Sequence, residues 1–253
     1  MADQREYWDY FLELHSGNPQ EGPGEFEATR RAFGLVDGLS SSPRILDLGC
    51  GPGRQTLDLL RLTNGTVTAV DSHAPFLEQL QRSAAEQGVA DRVTTVVADM
   101  ATLDLEPASF DLVWSEGALY AIGFEAGLQL AFRMLRPGGS LAASELTRLR
   151  PGGPAEAVEF WETEYPAIRD VDGNLALLDA AGYERVGHFV LPESAWRAYY
   201  EPLAAKFEAF RTQHAENPTA LMVLAHEAKE QAMYFLASEF YGYVFHVARR
   251  PAR

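Results

Sequence analysis

The nine residues Ile45-Leu46-Asp47-Leu48-Gly49-Cys50-Gly51-Pro52-Gly53 form the most specific chemistry-bearing pattern in the chain. A short apolar run enters a turn with glycine at every second position, and a helix-like stretch follows from Gln55. Glycine in such a turn reaches φ values closed to other residues and lets a ligand lie against the backbone with no Cβ in the way. The next apolar run, 67–70, ends in Asp71. A carboxylate at that strand tip can accept both hydroxyls of a ribose. It can equally cap the helix that Ser72-His73-Ala74-Pro75 opens, and its pairing with the loop favours the ribose. A dinucleotide would need Gly-x-Gly-x-x-Gly so that the third glycine packs helix on strand. Counted from Gly49 the third position is Arg54, and counted from Gly51 it is Thr56, so that fingerprint fails.

Positioning such a loop takes a sheet. Strand-like runs occur at 44–48, 67–70, 93–97, 112–114 and 141–144, with helix-like stretches at 55–62, 76–87 and 124–135 between them. Strands alternating with helices of this length imply right-handed βαβ units and a parallel sheet. Upstream, Tyr7, Trp8, Tyr10, Phe11 and Leu14 mark one apolar helix face. A second helix is expected over 25–35, after a Gly22-Pro23-Gly24 turn that reads either as a lid hinge or as an ordinary turn. The rhythm changes after Pro151-Gly152-Gly153-Pro154. Strands at 185–191 and 241–248 flank some fifty residues that read as two or three helices broken near Asn217-Pro218. The organisation expected is an N-terminal helical lid segment, 1–42, and a main domain, 43–253, with a helical cap insertion at 192–239.

Composition narrows the function classes. With 47% hydrophobic residues in 253, the chain can build a sizeable core. Thirty-six acidic against 21 basic side chains, net charge −15, would repel a phosphate backbone, and Arg30-Arg31 and Arg249-Arg250 are isolated pairs, so no nucleic-acid partner is expected. A single cysteine, Cys50, excludes an intrachain disulfide and suits a reducing compartment. Without an N-terminal apolar segment or a run near the roughly 20 residues that span a bilayer, a cytoplasmic protein with no membrane partner is expected. Scattered histidines with no paired motif predict no metal site.

Read in order, the motifs resemble those of class I S-adenosylmethionine-dependent methyltransferases, from about residue 43 to 145. The stretch 45–53 resembles their motif I, and 67–71 the ribose-binding motif. Val97-Ala98-Asp99-Met100 resembles the adenine-contacting segment. Phe110-Asp111-Leu112-Val113-Trp114 resembles motif IV, and 134–141 the turn before strand five. Within the class the chain is most similar to bacterial small-molecule methyltransferases of the broad type-11 group. The resemblance implies a doubly wound, mostly parallel seven-stranded, Rossmann-like α/β sheet with an antiparallel last strand and a helical insertion before it. It also implies S-adenosylmethionine as cofactor. Carried over residue by residue, the cofactor would meet Asp47, Gly49, Gly51, Gly53, Asp71, Ser72, Asp99, Met100 and Ser115. Asp47 would organise the methionine amino end and Asp99 the adenine amine, with Met100 against the ring.

Motif IV runs on as Trp114-Ser115-Glu116-Gly117-Ala118-Leu119-Tyr120, without the Asp/Asn-Pro-Pro-Tyr-like turn of enzymes that methylate DNA bases. Glu116 and Tyr120 are the candidate catalytic residues. Glu116 should sit just past strand four, and Glu145 at the end of strand five, where two carboxylates could bind a substrate amine or act as a base. Aromatics are dense outside the strands, with two or three of Tyr7, Trp8, Tyr10, Phe11, Trp161, Tyr165, Trp196, Tyr199, Tyr200, Tyr234, Tyr241 and Tyr243 expected to line a pocket, where they could hold a cation. The favoured function is methyl transfer to a small-molecule acceptor at nitrogen or oxygen. A catalytically silent cofactor-binding protein and a nicotinamide-dependent oxidoreductase are the alternatives. The inserted helices could serve as a lid or as the face of a homodimer.

Overall fold

The computed structural model describes residues 4–252. Two helices, α1 (Gln4–His15) and α2 (Phe26–Phe33), precede the sheet. The alternating part runs β1 (Arg44–Leu48), α3 (Arg54–Leu62), β2 (Thr66–Asp71), α4 (Ala74–Glu86), β3 (Val93–Val97), β4 (Phe110–Glu116), α5 (Phe124–Met134) and β5 (Leu135–Arg148). There follow α6 (Ala155–Glu164), β6 (Arg169–Asp170), α7 (Val171–Ala180) and β7 (Glu184–Val190). Three helices, α8 (Glu193–Ala204), α9 (Phe207–Gln213) and α10 (Pro218–Ala237), then lead to β8 (Tyr241–Arg249).

The strand order is β3-β2-β1-β4-β5-β8-β7. All pairs from β3 to β5 are parallel, and β8 runs antiparallel to both β5 and β7. The mostly parallel, doubly wound sheet is therefore present, with the helical insertion directly before its antiparallel last strand. One strand was not anticipated: two-residue β6 pairs with the end of β5, bringing the sheet to eight. The fifth strand is also far longer than the apolar run 141–144. It takes in the Pro137-Gly138-Gly139 turn through a register shift against β4, so its pattern at that end is not a strand's.

Strand order reverses between β1 and β4, where Leu46 pairs with Val113 and Asp47 with Trp114. Side chains of β1 alternate across the sheet. Leu46 and Leu48 enter a core with α5 and α7, while Ile45 enters a core with α2, α3 and α4. Burial on both faces explains why these strands read as continuous apolar runs. A third core meets the sheet at Leu146 of β5 and Tyr241 of β8: Leu14 of α1, Phe160 and Trp161 of α6, Trp196, Tyr199 and Tyr200 of α8, and Leu224 and Tyr234 of α10 pack together there. The N-terminal segment is thereby divided. α1 belongs to the cap, whereas Ala28 and Ala32 of α2 pack against the sheet. No helix among the described residues is long and apolar enough to cross a membrane.

Candidate active site

The carboxyl ends of β1, β2 and β4 open onto a crevice of about 340 Å³, at the point where the strand order reverses. That is where open α/β sheets place their ligands, and the volume falls within the range of small-molecule sites. Gly49, Gly51, Asp71, Ser72, Asp99 and Met100 all line it. Gly49 (φ +69°) and Gly51 (φ +53°) turn the chain in the left-handed region. A side chain at Gly49 would collide with Ala118, whereas one at Gly51 would meet only Glu21 Cγ, at 3.6 Å across the crevice. Asp71 ties the loop to the next helix: its two oxygens accept from the Gly51 N–H at 2.9 Å and the His73 N–H at 2.8 Å. Each oxygen keeps a lone pair for a ribose hydroxyl. Asp99 Oδ1 accepts from the Ala101 N–H at 2.8 Å.

Three residues assigned to the cofactor lie behind the crevice wall instead. Asp47 is fully buried, because period-two alternation sends it toward α3. There it accepts from Thr56 Oγ1 at 2.5 Å, and burial pushes its carboxyl up to about 7. Gly53 leaves room for Leu80 of α4, a helix-packing contact. Ser115 is buried and donates to the Leu48 carbonyl at 2.8 Å, locking β4 to β1. All three shape the loop from beneath.

Glu116 departs further from expectation. It is the last residue of β4, its side chain only 4% exposed, and it forms an ion pair with Arg54. Its other oxygen accepts from Thr29 Oγ1 at 2.8 Å and Trp114 Nε1 at 2.9 Å. Arg54 in turn bonds Asp58 at 2.9 Å. A Cβ at Gly24 would displace the tips of the Arg54 and Glu116 side chains, and the Gly24 N–H donates to the Ala195 carbonyl at 3.1 Å. The Gly22-Pro23-Gly24 stretch is thus a fastened turn, with Gln20 Nε2 donating to the Gly22 and Gly24 carbonyls. Glu116 lines the crevice, but its carboxylate is already engaged by three donors and serves there to hold the wall together. Glu145, expected at the end of β5, lies three residues before it. It is 1% exposed, accepts from Tyr165 Oη at 2.5 Å, and burial pushes it up to about 8.

A second cavity, of about 420 Å³, adjoins the first and shares Glu21, Gly22, Gly117 and Tyr120 with it. Eight of the twelve aromatics singled out in the sequence line it, not two or three: Tyr7, Trp8, Phe11, Trp161, Tyr165, Trp196, Tyr199 and Tyr243. Tyr120 stands at the junction, 51% exposed and edge-on to Tyr165 at 6.0 Å. Glu21, Glu164, Glu227 and Glu230, none of them singled out from the sequence, complete the wall. His15 fastens lid to cap: it is completely buried, 2.5 Å from Glu21 and 3.4 Å from Glu227. Burial would lower its pKa, but hydrogen bonds to these two carboxylates outweigh that and raise it to about 9.

The strand order, glycine loop and strand-tip acid define the class I S-adenosylmethionine-binding fold, and comparison with known proteins agrees. A family described as "Methyltransferase domain" matches residues 45–139. The chain is 30% identical over 239 residues to the 27-O-demethylrifamycin SV methyltransferase of Amycolatopsis mediterranei, covering 89% of this chain and 85% of that one. Among solved structures, it is similar to an S-adenosylmethionine-dependent methyltransferase from Geobacter sulfurreducens in complex with S-adenosyl-L-homocysteine. The TM-score is 0.82 at 21% identity, over 95% of this chain and 97% of that one. The [4+2]-cyclase SpnF is also similar, with a TM-score of 0.75 at 22% identity, over 97% and 93%. The chain belongs to the S-adenosylmethionine-dependent methyltransferases, and the nicotinamide reading falls with that assignment.

Proposed function

We propose that this enzyme methylates a nitrogen or oxygen of a small molecule seated in the aromatic cavity, with the cofactor in the glycine-lined crevice. The observation that carries the reading is the junction: two cavities, one at the sheet ends and one in the cap, meet at Gly117 and Tyr120. Bound S-adenosylmethionine supplies an electrophilic methyl group on a sulfonium. Asp71 would hold the ribose hydroxyls, and Asp99 and Met100 the adenine. Gly49 and Gly51 would let the amino-acid end approach the loop. Glu21 Oε1, buried with no partner, would take an ammonium donor from a ligand.

The chain's share of catalysis is orientation and exclusion of water. Tyr120 would guide the acceptor atom toward the crevice, while Glu116 acts through Arg54 as a positioning residue. Helices α8 and α10 would serve as a lid, their buried apolar residues packing with α1 and α6, while Met222, Phe235 and Leu236 of α10 stay exposed.

The test is Asp71→Ala. Losing charge-assisted hydrogen bonds to ribose should weaken S-adenosylhomocysteine binding by about 1–3 kcal/mol, measured by titration calorimetry. Unchanged affinity would remove Asp71 from the cofactor site.

A further inference from the structure

The second cavity carries a charge pattern that methyl transfer alone does not require. Glu227 and Glu230 are three residues apart on α10, hence on one face, and Glu164 ends α6; all three line the cavity. No lysine or arginine is among its described lining residues. The basic groups that meet these acids are histidines. His15 is already shared between Glu21 and Glu227, and His226 lies 3.7 Å from Glu164. Among the described residues, Glu230's one hydrogen bond is from the neutral Tyr200 hydroxyl, at 2.9 Å.

This concentration of negative charge acts on its neighbours. Burial and then the Glu227 charge push Glu230 above its ordinary range. Burial, followed by the Glu227, Glu164 and Glu230 charges, pushes the Tyr7 hydroxyl up to about 12. A positive charge placed among these groups would relieve both, and aromatic faces around it would add cation–π attraction.

An independent observation also points to a ligand. The indole N–H groups of Trp161 and Trp196, residues 4% and 2% exposed, are buried with no hydrogen-bond partner, and both residues line this cavity. Buried donors are nearly always satisfied, and what would satisfy these is an acceptor atom brought in from outside.

We propose that the cavity binds a protonated amine on an apolar body that also bears an oxygen acceptor. The amine lies against Glu227 and Glu230, and the oxygen is met by the tryptophan N–H groups. This rests on the reading that the cavity is the acceptor site, and it adds the chemical class of the acceptor.

The test uses the full chain with S-adenosylhomocysteine bound and three phenols of similar size: tyramine, its isostere tyrosol, and hydroxyphenylacetate. Binding is read by quenching of tryptophan fluorescence and by calorimetry at low and high salt. Tyramine should bind at least about tenfold more tightly than tyrosol, the acid should not bind measurably, and the preference should shrink with salt. Glu230→Gln, which keeps the acceptor for Tyr200, should reduce the amine preference several-fold while S-adenosylhomocysteine affinity is unchanged. Equal binding of tyramine and tyrosol to the wild type would overturn the proposal without using any variant, as would an amine preference untouched in folded Glu230→Gln. Failure of the wild type to bind S-adenosylhomocysteine would instead refute the cofactor assignment beneath it.

Discussion

The two cavities are built from different materials. The frame of the cofactor crevice is backbone: a glycine loop and three strand ends, braced from below by Asp47 and Ser115 and in its wall by the Arg54–Glu116 pair. The neighbouring cavity is made of side chains, most of them from α1, α6, α8 and α10. A backbone site accepts a ligand of constant shape and fails all at once when its frame is disturbed. A side-chain site can change specificity one residue at a time while the frame stands. That division suits an enzyme whose methyl donor is constant and whose acceptor differs among relatives.

Mutations should separate the two materials. The largest effect is expected for Arg54→Met, which leaves Glu116 buried without its cation. Orphaning one member of a buried pair costs about 3–5 kcal/mol, so urea denaturation should show a loss of that size; a loss below about 1 kcal/mol would mean the pair is not a brace. Valine at the two loop glycines should dissect frame from ligand. Gly49→Val adds a collision with Ala118 to left-handed strain and should cost about 2–5 kcal/mol of stability. A Cβ at Gly51 meets nothing closer than 3.6 Å, so Gly51→Val should cost less stability yet abolish S-adenosylhomocysteine binding. Equal stability losses would show that the two glycines do the same job.

The smallest effect is a pH dependence confined to the lid. The His15 pKa is raised from its ordinary 6.5 to about 9. The folded state therefore holds its proton more tightly, and the stabilisation is fully present below about pH 6.5 and lost as pH rises through about 9. Proteolysis within α1 should accelerate across that window in the wild type. In His15→Gln the rate should be flat with pH, and the same acceleration in the variant would assign the effect elsewhere.

The difference in material also explains what could be read from the chain. Gly49, Gly51, Asp71, Asp99 and Met100 sit at strand tips, where apolar runs and a turn signal fix their position, and all five line the crevice. The strands themselves were legible because burial on both faces leaves unbroken apolar runs. Asp47 and Ser115 share those runs, but which side a residue faces depends on pleat, and the pleat turns both away from the ligand. Arg54 showed itself only by occupying the position of a missing third glycine; its partners Glu116 and Thr29 lie 62 and 25 residues away. Glu164, Glu227 and Glu230 looked like ordinary solvated helix charges, since nothing local says that α6 and α10 enclose a cavity. The aromatics were visible as a surplus, but their convergence depends on tertiary packing.

Glu21 and Gly22 border both cavities, within a turn clamped by Gln20 and followed at once by Gly24, which is wedged against the Arg54–Glu116 brace. If the two cavities hold donor and acceptor as proposed, the chambers have a party wall, and a displacement of this turn would unseal both at once.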